Sequence, residues 1–411
     1  MKNKWTALAV SLILSVSTAV SAGAASQTAT PIPQTETAAE TAASNTGDTQ
    51  ALLNEAESLG LLPEAAAQPS ISEETACLME AGTGTILYDK EMDKQIIPAS
   101  TTKIMTALLV MENCSLDEQV TFTETGIRDV NYGSTNAGMQ LGEVITIEQC
   151  LYLIMLQSAN EVSAQVAEYI AGSEAAFVDQ MNQRAEELGC TGTHFNNPNG
   201  LPDNNHYTTA HDMALISQEA IKHDLFREII HTQEYTLPAT NVNPAPRTFK
   251  NHHAILFPGT EYYYEYAIGG KTGYTDASQS TLVTFAEKDG LLFIATVFKG
   301  DGAKIVLDTK KLFEYGYENY EKLTLEGDSY MLVPKGSAQV ISDLKEQKLQ
   351  EEQELQEQKE QEQANTEAVA AARQASPSTY MKIIAVLGVL ILLGLLVMII
   401  KLISRRKKRR K

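Results

Sequence analysis

The sequence predicts an α+β domain in which one antiparallel sheet takes strands from both ends of the domain. Two short apolar runs around a glycine-containing connection, residues 76–80 and 85–88, indicate an N-terminal β-hairpin. Further runs at 261–268, 280–286 and 291–298 indicate strands near the other end. Because a mostly helical stretch separates the two groups, we expect helices packed on a single sheet.

The helical stretch is predicted from apolar residues that recur at helical spacing. It includes residues 147–171, 173–189 and about 210–223, and a last helix is expected over 302–322. Residues 191–212 are rich in Asn, Pro, Gly and His, so most of this stretch should form a loop. The helices therefore fall mainly between the two groups of strands.

Both ends of the chain have the composition of targeting or membrane segments. The first 25 residues combine two lysines, an apolar run and an Ala-Gly-Ala segment, which is the pattern of a signal peptide. Residues 383–400 are apolar or glycine without a charge, which is enough for a transmembrane helix. The basic residues that follow should stay in the cytoplasm, so we expect an exported, membrane-anchored chain whose folded domain lies outside the membrane.

The segments between these ends differ in composition. Residues 344–363 are almost all Gln, Glu, Lys and Leu, and their leucines are too sparse for a firm coiled-coil assignment. The predicted organisation is a signal peptide (1–25), a low-complexity linker (26–70), a catalytic domain (71–325), a connector and helical stalk (326–380), a transmembrane helix (381–403) and a basic cytoplasmic tail (404–411).

The charge distribution argues against a nucleic-acid partner. The formal net charge is −20, and eleven of the 32 Lys and Arg residues fall within 1–25 and 381–411. The exported part therefore carries 21 basic residues against 52 acidic ones, a balance that repels polyanions. The basic tail beside a membrane span is expected to touch anionic lipid instead.

The four cysteines leave two interpretations open. An exported chain can form disulfides, whereas Cys77 and Cys150 lie in apolar runs that are typical of buried thiols. Cys114 and Cys190 favour neither interpretation, and no C-x-x-C pair indicates a zinc site.

A short segment ahead of an apolar helix brings a serine and a lysine together. Pro98 and Ala99 precede Ser100, so Ser100 should lie where the helix begins, and Lys103 should lie one turn along on the same side. A lysine with a lowered pKa can take the proton of a serine hydroxyl and make it a nucleophile. Free N–H groups at the helix start can stabilise an oxyanion. An N-cap serine near a surface lysine is the alternative.

Ser158 and Asn160 interrupt an apolar stretch farther along the chain. A second hydroxyl near the first pair could relay a proton to a leaving amine. The asparagine side chain could both donate to and accept from a peptide amide. Taken alone, the triplet is equally well explained as a helix cap or a turn.

The segment from Gly269 to Thr275 follows a predicted strand. Its small residues would let a substrate backbone lie along the strand edge. Lys271 and Thr272 could hold a carboxylate there, while a hairpin turn with a surface lysine is the alternative.

S-x-x-K, a Ser/Asn triplet and K-T-G are together the marks of penicillin-binding proteins and class A β-lactamases. From about residue 72 to 322 the chain resembles the D-alanyl-D-alanine carboxypeptidases, the low-molecular-mass penicillin-binding proteins. Residues 98–106, 195–201, 206–213 and 251–253 also look like segments of that family. The resemblance implies a β-lactamase/penicillin-binding transpeptidase-like fold. It also implies a serine-type D-Ala-D-Ala carboxypeptidase that trims peptidoglycan stem peptides and thereby limits cross-linking.

The resemblance further implies the catalytic roles. Ser100 would attack the carbonyl between the two terminal D-alanines, Lys103 would be the base for acylation, and Ser158 would relay a proton. The backbone N–H groups of Ser100 and Tyr274 would form the oxyanion hole. Water would then hydrolyse the acyl-enzyme without a metal or cofactor, and β-lactam antibiotics would be covalent inhibitors that acylate the same serine.

The substrate-binding residues are implied in the same way. Asn160 would bind the peptide, and Lys271 with Thr272 would hold the free D-Ala carboxylate. Gly273 and Tyr274 would complete the strand along which the substrate lies. Two departures from the family pattern, Asn199 in place of His and Ala277-Ser278 in place of Ala-Gly, bear on loop shape.

Other functions share parts of this pattern. A D,D-transpeptidase or endopeptidase uses the same acylation chemistry and stays open, as does a non-catalytic β-lactam-sensing module. A class A-like β-lactamase would need a Glu-x-x-Leu-Asn loop, which does not occur between Asn160 and Lys271. A zinc carboxypeptidase would have to use histidines whose spacing matches no zinc signature, namely His206, His211, His252 and His253.

Overall fold

The computed structural model describes residues 49–128, 134–325, 329–374 and 377–408. The predicted signal peptide and the first part of the predicted linker lie outside these residues. Within them, helices cover both faces of one antiparallel sheet, which confirms the predicted α+β architecture.

The main sheet has five strands in the order β2-β1-β9-β8-β7, and every neighbouring pair is antiparallel. Its two N-terminal strands form the predicted hairpin, and its other three come from the C-terminal end of the domain. The strands are β1 (Thr75–Glu80), β2 (Ile86–Lys90), β3 (Gln119–Thr121), β4 (Val144–Thr146), β5 (Glu234–Leu237), β6 (Arg247–Lys250), β7 (Ala267–Thr275), β8 (Gln279–Lys288), β9 (Leu291–Gly300), β10 (Tyr320–Thr324) and β11 (Tyr330–Pro334).

The helices divide between the two faces of the sheet. A helical group between β2 and β7 covers one face, and the helix after β9 covers the other. The helices are α1 (49–58), α2 (Lys103–Asn113), α3 (Thr125–Arg128), α4 (Ile147–Tyr152), α5 (Asn160–Ala171), α6 (Glu174–Glu187), α7 (Ala210–Ala220), α8 (Asp224–His231), α9 (Lys304–Asn319), α10 (Ser337–Gln374) and α11 (Pro377–Lys408).

The alternation of side chains along β9 explains how one strand serves two cores. Ile294 and Phe298 join the large core with α2 and α7. Phe293, Ala295 and Val297 join a second core with α9. Because both faces are buried, the strand appears in the sequence as a nearly continuous apolar run.

The strand predicted at 261–268 is wrong for most of its length, since β7 begins only at Ala267. The preceding tyrosine-rich run packs across α9 instead, with the ring of Tyr264 stacked on Phe313 at a centroid distance of 5.9 Å. Lys310 Nζ donates to the carbonyls of Glu261 and Tyr263 at 2.8 and 3.0 Å. These carbonyls therefore bond to a side chain rather than to a neighbouring strand.

The helix predicted at 302–322 is shorter than expected, because α9 ends at Asn319 and Tyr320 already belongs to β10. Asn319 Nδ2 donates to the carbonyl of Tyr315 at 2.8 Å in the last turn. The chain then becomes extended at Tyr320, with φ −128° and ψ 153°.

The predicted linker contains an ordered helix. Leu52 and Ala56, four residues apart on α1, are buried in a small third core with Leu323, Val333 and Ile341. This core joins α1 to the β10–β11 hairpin and to the first turns of α10. The composition of residues 50–68 allows a short helix within the linker, but it does not predict this packing, because the segment around these two residues is mostly small and polar.

Beyond this core, α10 is mostly polar and exposes its few large apolar side chains, Leu349, Leu355 and Val369. Its glutamines donate to acidic side chains four residues away, as in Gln347–Glu351 and Gln356–Glu360. Such i,i+4 pairs support a solvated helix. In α11, residues Ile384–Lys401 are long and apolar enough to cross a membrane, with a mean hydropathy of 2.9.

All four cysteines are free thiols. Cys77, Cys150 and Cys190 are buried, and Cys114 is partly exposed. Burial raises the pKa of each thiol, for Cys77 to about 12. They behave as core side chains rather than as reactive groups.

Candidate active site

Ser100 lies on a 3₁₀ turn, Ala99–Thr102, that continues directly into α2. The hydroxyls of Thr101 and Thr281 both donate to the carbonyl of Pro98, at 2.7 and 2.9 Å. Because Thr281 belongs to β8, these bonds tie the turn to the sheet. Ala99 has φ +49°, a left-handed conformation that needs such support.

The side chain of Lys103 joins three segments of the chain. It is fully buried, and its Nζ donates to Ser100 Oγ at 3.1 Å and to Asn160 Oδ1 at 2.7 Å. A third bond, of 2.5 Å, goes to the backbone carbonyl of Asn199. The serine, the lysine and the asparagine of the first two motifs thus meet around one ammonium group.

The carbonyl of Asn199 was not predicted as part of the site. Asn197 Oδ1 fixes its loop by accepting from the N–H groups of Asn199 and Gly200, at 3.3 and 2.7 Å. The loop also passes very close to the nucleophile turn. A Cβ built on Gly200 would lie 1.8 Å from the carbonyl oxygen of Ala99.

We expect Gly200→Ala to slow acylation of Ser100 by at least tenfold and to lower the melting temperature. The new Cβ would push against Ala99, and φ at this position is +83°, which an L side chain rarely adopts. Acylation by a fluorescent penicillin and thermal unfolding would be measured together. Gly259→Ala is the matched control, because its φ is +86° but no atom lies within 4 Å of its Cβ. Equal effects of the two substitutions would contradict a role for the close approach.

The helix predicted at 147–171 is interrupted at the second motif. A π-helical turn, Leu153–Gln157, leads into Ser158, which has φ +60°, and α5 starts at Asn160. Apolar spacing on both sides of Ser158 and Asn160 predicts one helix, but the polar interruption at these residues marks the break. The hydroxyl of Ser158 is buried and has no hydrogen-bond partner among the described residues, and its side chain reaches the same cleft as Ser100.

Glu161 is a further buried group that the sequence analysis did not single out. It follows Asn160 in the first turn of α5, and its Oε1 accepts from the N–H of Ala137 at 2.6 Å. Burial raises the pKa of this carboxyl to about 7, while the nearby charge of Lys103 lowers it. The available sequence signal was an acidic residue inside an otherwise apolar stretch.

Strand β7 carries the third motif along the exposed edge of the sheet. Lys271 is 1% exposed, and its Nζ donates to the carbonyl of Thr272 at 2.8 Å. Burial lowers the pKa of its ammonium group to about 7. Gly273 lets the strand approach the nucleophile turn, because a Cβ there would lie 2.8 Å from the backbone nitrogen of Ser100.

A cleft of about 390 Å³ opens where the three motifs meet. Ser100, Ser158, Thr272, Gly273 and Tyr274 line it, whereas the buried side chains of the other three predicted residues lie behind its walls. Those three are Lys103, Asn160 and Lys271. The exposed ring of Tyr274 stands at the surface end of β7.

Three of the four histidines considered for a zinc site have separate partners. His206 is buried, accepts from the N–H of Asn196 at 3.0 Å through Nδ1, and lies 2.8 Å from Thr102 Oγ1 through Nε2. Burial lowers the pKa of His206 to about 4, so it is neutral near pH 7. His253 Nε2 lies 2.9 Å from Thr284 Oγ1, and His211 pairs with Asp93.

Comparison with known proteins places this arrangement in a family. The family model for D-alanyl-D-alanine carboxypeptidase, peptidase S11, matches residues 63–302. D-alanyl-D-alanine carboxypeptidase DacF of Bacillus subtilis is 33% identical over 252 residues, which are 60% of this chain and 62% of that protein. The D-alanyl-D-alanine carboxypeptidase of Streptomyces sp. strain K15 is 33% identical over 273 residues, which are 63% of this chain and 92% of that protein.

Solved structures agree with the sequence comparison. The crystal structure of the Streptomyces K15 DD-transpeptidase is similar with a TM-score of 0.57 and 30% identity, over 61% of this chain and 99% of that one. Residues 63–302, which the family model matches, contain all three motifs. The chain therefore belongs to the D-alanyl-D-alanine carboxypeptidase family of serine hydrolases.

Proposed function

We propose that this protein removes the terminal D-alanine from peptidoglycan stem peptides through an acyl-enzyme on Ser100, and so limits cross-linking. The observation that carries the proposal is the buried Lys103 ammonium, which lies 3.1 Å from Ser100 Oγ on the wall of the cleft. A hydroxyl within reach of a lysine, beside a strand edge that a peptide can join, suits acyl transfer to serine. Family membership supports the same substrate class and the binding of β-lactams.

Before acylation, the Lys103 ammonium gives a proton to water and becomes the neutral amine that can act as a base. Its Nζ takes the proton of Ser100 as Oγ attacks the carbonyl carbon between the two D-alanines. The tetrahedral oxyanion accepts hydrogen bonds from the N–H groups of Ser100 and Tyr274. The C–N bond then breaks, and the proton passes from Lys103 through the hydroxyl of Ser158 to the leaving amine.

Deacylation reverses these roles with water in place of the amine. Water attacks the ester carbonyl, Lys103 takes the water proton, and Ser100 Oγ leaves with a proton returned by the same lysine. Asn160 holds the lysine through Oδ1 and leaves its amide N–H₂ for the peptide carbonyl. No metal or cofactor takes part in this scheme.

The terminal carboxylate binds near Thr272. The charge of Lys271, which is buried beneath the lining of the cleft, attracts it. Because the pKa of Lys271 is about 7 in the free protein, this charge is mostly present at pH 6 and mostly lost at pH 8. We expect kcat/KM for a peptide with a free carboxylate to fall, relative to its C-terminal amide, as the pH rises through 7. Taking the ratio cancels the effect of pH on the acylation chemistry, which both peptides share. Lys271→Gln should flatten the ratio, and a ratio independent of pH in the wild type would contradict the role.

The protein is also proposed to be anchored in the cell membrane by the apolar part of α11, with the catalytic domain outside. The 18-residue span of high hydropathy and the basic residues after it support this orientation. The full chain should sediment with membranes after alkaline washing, whereas a chain stopped after residue 374 should not. Release of both forms by the washing would contradict the anchor.

A D,D-transpeptidase is the second candidate, favoured by the similarity to the Streptomyces K15 DD-transpeptidase. It would share the acyl-enzyme and differ in the acceptor, an amine instead of water. The same chemistry up to Ser100 serves both reactions, so only the product separates them.

The deciding experiment uses the full chain in detergent with diacetyl-Lys-D-Ala-D-Ala, with and without added glycine as acceptor. D-alanine release without acceptor supports the carboxypeptidase, and the peptide ending in D-Ala-L-Ala is the matched control substrate. Formation of a glycine-exchanged peptide without hydrolysis would favour the transpeptidase. A stable penicillin adduct without turnover of any peptide would indicate a sensor, and rapid turnover of penicillin would indicate a β-lactamase.

A further inference from the structure

One wall of the cleft carries an imidazole that the proposed mechanism does not use. His252 lines the cleft together with Ser100, Thr272 and Gly273. Within the described ranges its side chain makes no hydrogen bond, although it lies beside the strand that carries Lys271. An imidazole in such a position can donate to a ligand.

The segment that presents His252 is firmly anchored on both sides. Asn251 Nδ2 donates to the carbonyls of Ile230 and Thr232, at 3.2 and 3.0 Å, and Asn251 Oδ1 accepts from the N–H of His253 at 2.9 Å. His253 is buried against Thr284 of β8. His252 is therefore held between two fixed neighbours and keeps a defined place in the cleft wall.

Few of the residues that line the cleft are charged or titratable. Among the described residues that line the cleft, His252 and Tyr274 are the titratable side chains, and no acidic or arginine side chain is present. Lys271 faces His252 from β7, but it is buried and its Nζ is bonded to the carbonyl of Thr272. A carboxylate in the cleft is therefore attracted by the charge of Lys271, but its hydrogen-bond donors must come from residues that line the cleft.

The surroundings of His252 in the cleft wall disfavour the protonated ring. Its partly desolvated position and the charge of Lys271 both lower the pKa of the imidazole. A bound carboxylate would oppose both effects, because an anion within hydrogen-bond distance favours the protonated ring. The side chain of His252 is thus suited to become protonated when an anionic ligand binds beside it.

We propose that His252 donates a hydrogen bond to the carboxylate of the terminal D-alanine and thereby sets the preference of the cleft for peptides with a free C-terminus. It is a specificity-determining residue for the leaving group, and Thr272 of the same cleft is a second donor for the carboxylate. This inference rests on the proposed substrate class, but it concerns binding and not bond making.

The test measures binding without relying on turnover. The full chain in detergent reacts with a fluorescent penicillin while diacetyl-Lys-D-Ala-D-Ala or its C-terminal amide competes, and the inhibition constant of each peptide is obtained. His252→Ala should raise the inhibition constant of the carboxylate peptide about tenfold and change that of the amide peptide by less than twofold. His252→Arg, which restores a donor, should recover the carboxylate peptide, while His223→Ala, far from the cleft in sequence and placed before α8, serves as the control.

Each outcome has a defined meaning. Equal weakening of both peptides would show that His252 only shapes the wall, and an unchanged carboxylate peptide would remove it from recognition. Either result would overturn the inference while leaving D-alanine release intact. Absence of D-alanine release from the wild type, with selective loss in His252→Ala, would instead refute the proposed function and keep the carboxylate contact.

Discussion

Replacing Ser100 with alanine is expected to abolish the covalent penicillin adduct and D-alanine release together. Both reactions need a bond from Oγ to a carbonyl carbon, and loss of a serine nucleophile lowers kcat by about 10⁶-fold in a well-studied serine protease. The fold should persist, since the hydroxyl contributes only its 3.1 Å contact with Lys103 to the described hydrogen bonds. Intact mass after incubation with penicillin, followed by circular dichroism, would measure both properties.

The control for this substitution comes from the same cleft. Ser280→Ala removes a hydroxyl that also lines the cleft but has no part in the proposed bond making. It should keep an adduct of one penicillin per chain. An adduct on Ser100→Ala at the rate of the wild type would place the nucleophile elsewhere.

Replacing Lys103 with methionine is expected to slow acylation by about 10³-fold, within the range for loss of a general base. The apolar chain would also leave Asn160 Oδ1 and the carbonyl of Asn199 without their buried donor. An unsatisfied buried acceptor such as Asn160 Oδ1 costs about 1–3 kcal/mol of folding free energy, and no longer burying a charge offsets part of that cost. The penicillin acylation rate would be measured by stopped quench below the melting temperature of the variant.

Lys103→Arg separates the two effects. A guanidinium keeps the charge and the donors but cannot act as a base near neutral pH. Lys103→Arg should therefore acylate as slowly as Lys103→Met. Acylation by Lys103→Arg at the rate of the wild type would rule out proton transfer to this residue.

The parts of the site that depend on side-chain identity were predictable from the sequence. Ser100 and Lys103 must be three residues apart on one helix for the amine to reach the hydroxyl, and the amino-acid sequence shows that spacing directly. The carbonyl of Asn199 was not predictable in the same way, because every residue has a backbone carbonyl and only the loop conformation selects this one. Glu161 was not predicted because it belongs to none of the three motifs and to no periodic pattern.

The errors in the fold have a similar origin. Apolar residues at helical spacing flank Ser158 and Asn160 on both sides and predict a single helix over 147–171, although the backbone turns left-handed at Ser158. The signal for a strand at 261–268 came from tyrosines, which suit a sheet surface and in this chain pack on a helix instead. Periodicity reports which residues are buried, but not which neighbour buries them.

The small core around α1 has a practical consequence for anyone who shortens this protein. A fragment that starts at residue 72, where the apolar patterning of the domain begins, would leave Leu323, Val333 and Ile341 without their cover from Leu52 and Ala56. Such a bare patch favours aggregation. A fragment for crystallisation should therefore begin ahead of residue 49 and continue past the first turns of α10.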